Sequence, residues 1–430
     1  MPITAVMIDG FMPARLVSIL GMFVVIAVCY GFSRSRGSIR WKSVAMGLTL
    51  QFGIAISILG IPALKIPGVL RFVFEAMNWL VTSLVDFTNA GSRFVFGPLA
   101  DVRDPWGFIF ATRALPTIIF FSALMSLLYH LGVLQKVVKG FAMIMQKTMG
   151  TSGAETLSNA ANMFMGQTEA PLLVRPFIAT MTRSEIYTIM VGGMSTLAAG
   201  VEGAYVGLLK GRISDIAGHL MTASVLGAIG SLILSKIIFP EIETPETAGK
   251  MALPPTEKHD SNFLEATARG ASDGAMLALN VAAMLIAFIA FITILDAMVA
   301  KVGVWAHLAE PISFSYLLGK VCQPFAWLLG IPWSESDQVG RLLGEKIAMN
   351  EFVAYVHLSQ IGDKLTDRTV LIASYALCGF ANFSSIGIQI GGIGGMAPNQ
   401  KSTIAQLGFL AVLGGSLACF LSACIAGLLF

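Results

Sequence analysis

Gly166-Gln167-Thr168-Glu169-Ala170-Pro171 is the stretch that decides the fold of this chain. It sets an amide, a hydroxyl, a carboxylate and a helix-breaking proline at the centre of an apolar segment. Asn350-Glu351-Phe352-Val353-Ala354-Tyr355 repeats the pattern in the other half. A carboxylate at mid-bilayer depth costs about 2.5–3.5 kcal/mol on insertion scales, so an acid placed there marks a functional site. Two such acids in related settings point to a transporter.

The setting is a membrane. The 430 residues are 55% hydrophobic and 12% charged, against roughly 25% charged for a soluble domain. A mean hydropathy of +0.76 excludes a water-soluble globule. Apolar stretches long enough to span lie near 13–32, 43–61, 107–131, 216–239, 275–299 and 403–430, and 183–209 and 369–395 have the length but carry Gly, Ser, Thr and Asn inside them. The chain therefore reads as a multi-pass α-helical membrane protein. Its net charge of +3 carries no nucleic-acid signal, because the basic residues cluster at span ends. Arg34, Arg36, Arg40 and Lys42 place their loop in the cytoplasm and the N-terminus outside, and Lys136, Lys139 and Lys147 place 132–149 in the cytoplasm too. The apolar run after Arg15 lacks a cleavage-type ending and reads as a retained helix. The stretch 69–98, with Glu75, Asp86 and Arg93, is too polar to cross and is expected at the interface. Cys29, Cys322, Cys378, Cys419 and Cys424 lack metal-ligand spacing and read as packing residues. The five scattered histidines read likewise.

The halves repeat. Gly150, Glu169, Arg183 and Thr196 follow one another at intervals of 19, 14 and 13 residues, and Gly330, Glu351, Arg368 and Asn382 at 21, 17 and 14. Segments 152–181 and 331–362 are too polar at their centres for one spanning helix and long enough for two half-length ones, so each is expected to be a re-entrant hairpin. A single tilted helix accounts poorly for Pro171 and Gly166-Gln167-Thr168. Ser195-Thr196-Leu197-Ala198-Ala199-Gly200 and Asn382-Phe383-Ser384-Ser385-Ile386-Gly387 are expected to break their spans. Unwound backbone there frees carbonyls for a cation and half-helix N-termini for polar solute groups. Helix packing through small residues explains the glycines and serines but not Asn382 or Gln167. Gly391-Gly392-Ile393-Gly394-Gly395 follows no strand, which makes it a packing or flexible element rather than a dinucleotide loop.

What remains is Asn162, Gln167, Thr168, Glu169, Thr196, Glu351, Asn382, Ser384 and Ser385, a set of amides, hydroxyls and two acids without a cationic side chain. It suits a neutral, hydroxyl-rich solute. A carboxylate accepts two hydroxyls of a diol, Gln and Thr match the mixed edge of a nucleobase, and Phe380 offers an aromatic face.

Asn162 to Pro176, Asn350 to Tyr355, and Gly379-Phe380-Ala381-Asn382-Phe383-Ser384-Ser385 resemble, in order, three signatures of the concentrative nucleoside transporters. The likeness runs from about residue 70 to the C-terminus. It implies a homotrimer of protomers with eight spanning helices, two opposed hairpins, two broken helices in an inverted repeat, and a pathway each. It implies that Gln167, Thr168, Glu169 and Val201 face the nucleobase, and that Glu351, Asn382 and Ser385 hold the ribose with Phe380 nearby. It implies a sodium site of Asn162 and Thr196 side chains with the carbonyls of Met165 and Leu197, and sodium coupling because Asn162 is present. One residue departs from the pattern: Glu202 stands where relatives carry an apolar residue. It is either a protonatable group facing the interior, or solvated or paired with Lys210 or Arg212.

The resulting expectation is a sodium-driven nucleoside importer of the cytoplasmic membrane with an elevator-type movement. Its parts are a scaffold of 1–131 and 272–310, transport repeats of 132–239 and 311–430, and a linker over 240–271. A proton-coupled symporter, an intramembrane enzyme using Glu169 and Glu351, and a passive channel are its rivals.

Overall fold

The computed structural model describes residues 14–100, 109–250, 260–305 and 313–430. Apart from one bridge between Ile61 and Ile66, the regular structure of these residues is helical. In chain order the main helices are α1 (Ala14–Gly31), α2 (Trp41–Leu59), α3 (Arg71–Phe96), α4 (Leu115–His130), α5 (Val133–Met149) and α6 (Gly153–Ala161). They continue as α7 (Arg183–Ser195), α8 (Ala199–Leu209), α9 (Ile216–Ile238), α10 (Phe263–Trp305), α11 (Phe314–Leu328) and α12 (Trp333–Ala348). The last four are α13 (Glu351–Ile361), α14 (Asp367–Leu377), α15 (Phe383–Met396) and α16 (Lys401–Leu429).

The centre holds the helices that carry polar residues. Most residues of 183–209 and 216–238 are buried, whereas most of α1 and α2 are not. Helices α7, α9 and α16 pack on one another as this core, and α10 lies along α4. Large apolar side chains such as Trp79, Phe87, Phe291 and Trp305 stay exposed on α3 and α10. An apolar outside around a polar-dotted inside is the arrangement that lipid rather than water favours.

Both repeat units take the expected local form. Gly150 (φ +66°) and Gly330 (φ +92°) adopt backbone that a side chain would strain, and each sits just before a helix–turn–helix unit. In the first unit Ser152 caps α6 through a capping box with Glu155. The chain then turns through 162–169 and returns as a short 3-10 run, Ala170–Val174, and a single turn, Arg175–Ile178, packed back on α6. In the second, α12 ends at Met349, Asn350 accepts from the Val353 amide to cap α13, and the two helices pack together. Each unit is a helical hairpin.

Two details differ from the sequence reading. The second break falls over Cys378–Ala381, upstream of the residues expected, because Asn382 accepts from the Ser385 amide and restarts the helix, which puts Ser384 to Gly387 inside α15. The linker also ends early: Asn262 accepts from the Glu265 amide, so residues 263–271 already belong to α10. That helix of 43 residues is about 65 Å long at 1.5 Å per residue, well beyond one bilayer core. Residues 306–310 of the expected scaffold helix, and part of the linker, lie outside the described residues.

Candidate functional site

Each break meets a hairpin tip. The first interruption, Thr196 to Ala198, is extended backbone between α7 and α8, and the Ala199 amide reaches the Phe164 carbonyl of the first tip at 3.3 Å. The two breaks also touch each other. Gly379 (φ +132°) passes so close that a Cβ there would lie 2.7 Å from Cys419 Sγ and 2.8 Å from the Met194 carbonyl oxygen.

A continuous chain of buried hydrogen bonds runs through this crossing. Glu351 accepts from the Tyr205 hydroxyl at 2.9 Å on one oxygen and from Asn382 Nδ2 at 3.1 Å on the other. Asn382 Oδ1 accepts from the Ser384 hydroxyl and the Ser385 amide, at 2.7 and 2.9 Å. Gln167 Nε2 donates to Ser385 Oγ at 3.0 Å, and Gln389 Nε2 donates to Gln167 Oε1 at 3.0 Å. Glu351, Asn382, Ser385, Gln167 and Gln389 are all buried. The fold thus brings Gln167, Glu351, Asn382 and Ser385 together from three separate segments, the first turn and the starts of α13 and α15. Val201 is buried on α8, Phe380 lies within the second break, and Thr168 packs its methyl where Gly392 leaves room for it.

Glu169 stands apart. Its carboxylate turns back to the Gly166 amide at 3.2 Å, and it lines a cavity of about 470 Å³ with Met165, Ala198, Gly200, Arg269 and Asp273. The cavity separates the first tip from α4 and α10.

Beside the crossing, Asn162 is fully buried, and neither its Oδ1 nor its Nδ2 has a hydrogen-bond partner among the described residues. Buried amides left unpaired are rare, because each unmet group costs about 1–3 kcal/mol. Thr196 Oγ1 is buried and donates to the Gly192 carbonyl at 3.0 Å, which turns its lone pairs away from that bond. Neutral oxygens of this kind suit a hard, weakly held cation.

Tyr205 and Gln389 went unnoticed in the sequence. Gln389 had a signal: an amide in an apolar span, seven residues after Asn382 and so on the same helix face. Tyr205 had none, since a tyrosine in a membrane helix is ordinary.

Fold and site together define a helical integral-membrane transport protein. Three family models match in order: Na+ dependent nucleoside transporter N-terminus over residues 20–99, Nucleoside recognition over 111–212, and Na+ dependent nucleoside transporter C-terminus over 219–427. The chain belongs to the Na+ dependent nucleoside transporter family. It is 42% identical over 417 residues to an uncharacterized transporter of Haemophilus influenzae, covering 96% of this chain and 97% of that protein. It is 38% identical over 436 residues to sodium/nucleoside cotransporter 1 of Mus musculus, covering 97% of this chain but 64% of that longer protein. The solved structure of CNTnw in an inward-facing substrate-bound state matches with a TM-score of 0.87 at 37% identity, over 97% of this chain and 98% of the other. A double variant of it in an outward-facing state matches with a TM-score of 0.89 at 37% identity over the same shares. These relatives are transporters, so the enzyme reading of the two carboxylates falls away.

Proposed function

We propose that the protein is a sodium-driven nucleoside importer of the cytoplasmic membrane, a homotrimer whose protomers each move substrate by an elevator-type displacement. The observation that carries this reading is the buried chain from Tyr205 through Glu351, Asn382 and Ser385 to Gln167, assembled where both hairpin tips meet both breaks. Glu351, Asn382 and Ser385 take the ribose, with Phe380 beside them. Gln167, Thr168 and Val201 take the base, and Glu169 meets it from the side of the cavity that it lines. Tyr205 and Asn382 hold one lone pair on each Glu351 oxygen and leave the others for a 2′/3′ diol. The base meets the Gln167 amide in place of its bond to Ser385.

Sodium is the co-substrate, held by Asn162, Thr196 and the carbonyls of Met165 and Leu197. Asn162 and Gln167 share one short turn, so a cation that orders the turn also orders the amide that meets the base. The two affinities then rise together and by the same factor. The hairpins are re-entrant and opposed, and with the broken helices they form the moving part, 132–239 and 311–430. The parts 1–131 and 272–310 stay fixed, and the cavity between Glu169 and Asp273 lies along that boundary. Labelled uridine uptake into proteoliposomes tests the reading. Accumulation above equilibrium under an inward sodium gradient is expected, and equal uptake in choline would overturn it.

A further inference from the structure

Glu202 is the buried acid that this reading does not use. It is 2% exposed, and its Oε1 has no hydrogen-bond partner among the described residues. The other acids of the interior are satisfied: Glu155 pairs with Lys236 at 2.6 Å, Glu185 accepts from Ser152 and the Thr182 amide, and Glu351 accepts from Tyr205 and Asn382. Neither basic residue near the end of α8 reaches Glu202, because Lys210 pairs with Asp86 at 2.6 Å and Arg212 with Asp367 at 2.9 Å. The solvated or paired alternative from the sequence is thereby excluded, and among the described residues no cation pairs with Glu202.

The orientation of α8 shows where the carboxyl looks. A Cβ on Gly200 or Gly203 would meet Ser122 or Phe121, so that face turns to α4. Glu202 shares the other face with Tyr205, three residues on, which stacks on Tyr355 at 4.2 Å and bonds Glu351. Tyr355 and Cys378 lie within its electrostatic reach. Among the charged groups of the surrounding elements, Glu75 of α3 pairs with Arg71, His219 of α9 bonds Tyr375, Lys236 pairs with Glu155, His357 of α13 pairs with Glu345, and Lys346 of α12 donates to the Ala376 carbonyl. A phenol and a thiol do not make the five or six oxygens that a hard metal ion wants. An unpaired carboxylate in such a place is held most cheaply by a proton.

We propose that Glu202 is a proton-binding site and that one proton is carried with each nucleoside. This rests on the transport reading above. The carboxylate takes a proton from water when the site faces the loading side, forming one O–H bond, and returns it to water on the other side. No bond of the nucleoside changes. Because Tyr205 links the Glu202 face to Glu351, protonation and nucleoside binding act on the same few side chains.

The test uses proteoliposomes with a pH dye in the lumen, equal starting pH and a clamped membrane potential, to which sodium and labelled uridine are added outside. In the wild type the lumen acidifies in step with uridine entry. In Glu202→Gln and Glu202→Leu the acidification is lost while sodium-driven uridine entry remains, and Glu202→Asp keeps both. Uridine entry without acidification in the wild type overturns the proposal and leaves the transport reading intact. Acidification by Glu202→Gln at the wild-type rate also overturns it. No uridine entry at all overturns both readings. Should the two neutral variants fail to fold, the wild-type dye signal alone decides between the first two outcomes.

Discussion

Gln167 Nε2 lies 3.0 Å from Ser385 Oγ, joining the first hairpin tip to the second interrupted helix across 218 residues of sequence. The bond closes the gap between the proposed base side and the proposed sugar side of the site. A nucleoside entering there must part these two groups and meet the needs of each. The side chains are thus held ready for a ligand with donors and acceptors at both ends, and an apolar solute would leave them unpaired at a cost of about 1–3 kcal/mol per group.

Glu351→Gln is expected to weaken uridine binding by about ten- to a hundredfold, since hydrogen bonds to a charged group are worth roughly 1.5–3 kcal/mol. Its two oxygens accept from Tyr205 and Asn382. A glutamine keeps one acceptor oxygen, for Asn382 Nδ2, while its nitrogen can only donate to a turned Tyr205 hydroxyl and accepts nothing from a diol. Calorimetry on folded protein reads the change directly. An unaltered affinity would remove Glu351 from the site.

Tyr205→Phe separates packing from hydrogen bonding. The ring stack on Tyr355, 4.2 Å apart and 17° from parallel, survives the change, and the donor to Glu351 does not. We expect a loss of roughly 1–3 kcal/mol in stability and a weaker uridine affinity. Thermal melting in detergent and a titration with uridine check the two parts. A variant that melts and binds as the wild type does would mean that Glu351 needs no help from Tyr205.

Asn162→Ser shortens the proposed oxygen ligand, whose two polar atoms have no hydrogen-bond partner among the described residues. The sodium concentration needed for half-maximal uridine binding is expected to rise, while affinity at saturating sodium changes less. Titrating uridine across a sodium series shows both quantities. Equal wild-type affinity in sodium and in choline would show that coupling does not act through binding.

Gly379→Ala is expected to destabilise the fold. Its φ of +132° suits glycine alone, and the added carbon would press on Cys419 Sγ and the Met194 carbonyl at 2.7 and 2.8 Å. Backbone strain of this kind costs about 1–3 kcal/mol before any clash is counted. The melting temperature in detergent should fall. An unchanged value would mean that the two breaks move apart readily.

Much of this protein is legible in one dimension because a membrane makes polar atoms expensive. Gln167, Glu169, Glu351 and Asn382 stand out from apolar sequence wherever the chain goes, and Pro171, Gly150 and Gly330 mark where helices must stop. Hence the helical membrane class and the burial of Gln167, Glu351 and Asn382 inside the helical core could be read before any coordinates. Partners could not, because a hydrogen bond between residues 31 to 218 positions apart depends on which segments cross at the same depth. Tyr205 joined the site, Gln389 bonded to Gln167, and Glu169 turned to the cavity through tertiary packing alone. For Glu202 the sequence left two readings open, solvated or enclosed. Lys210 and Arg212 found other acids, and the packing of α8 closed around a carboxyl with an oxygen that has no hydrogen-bond partner among the described residues.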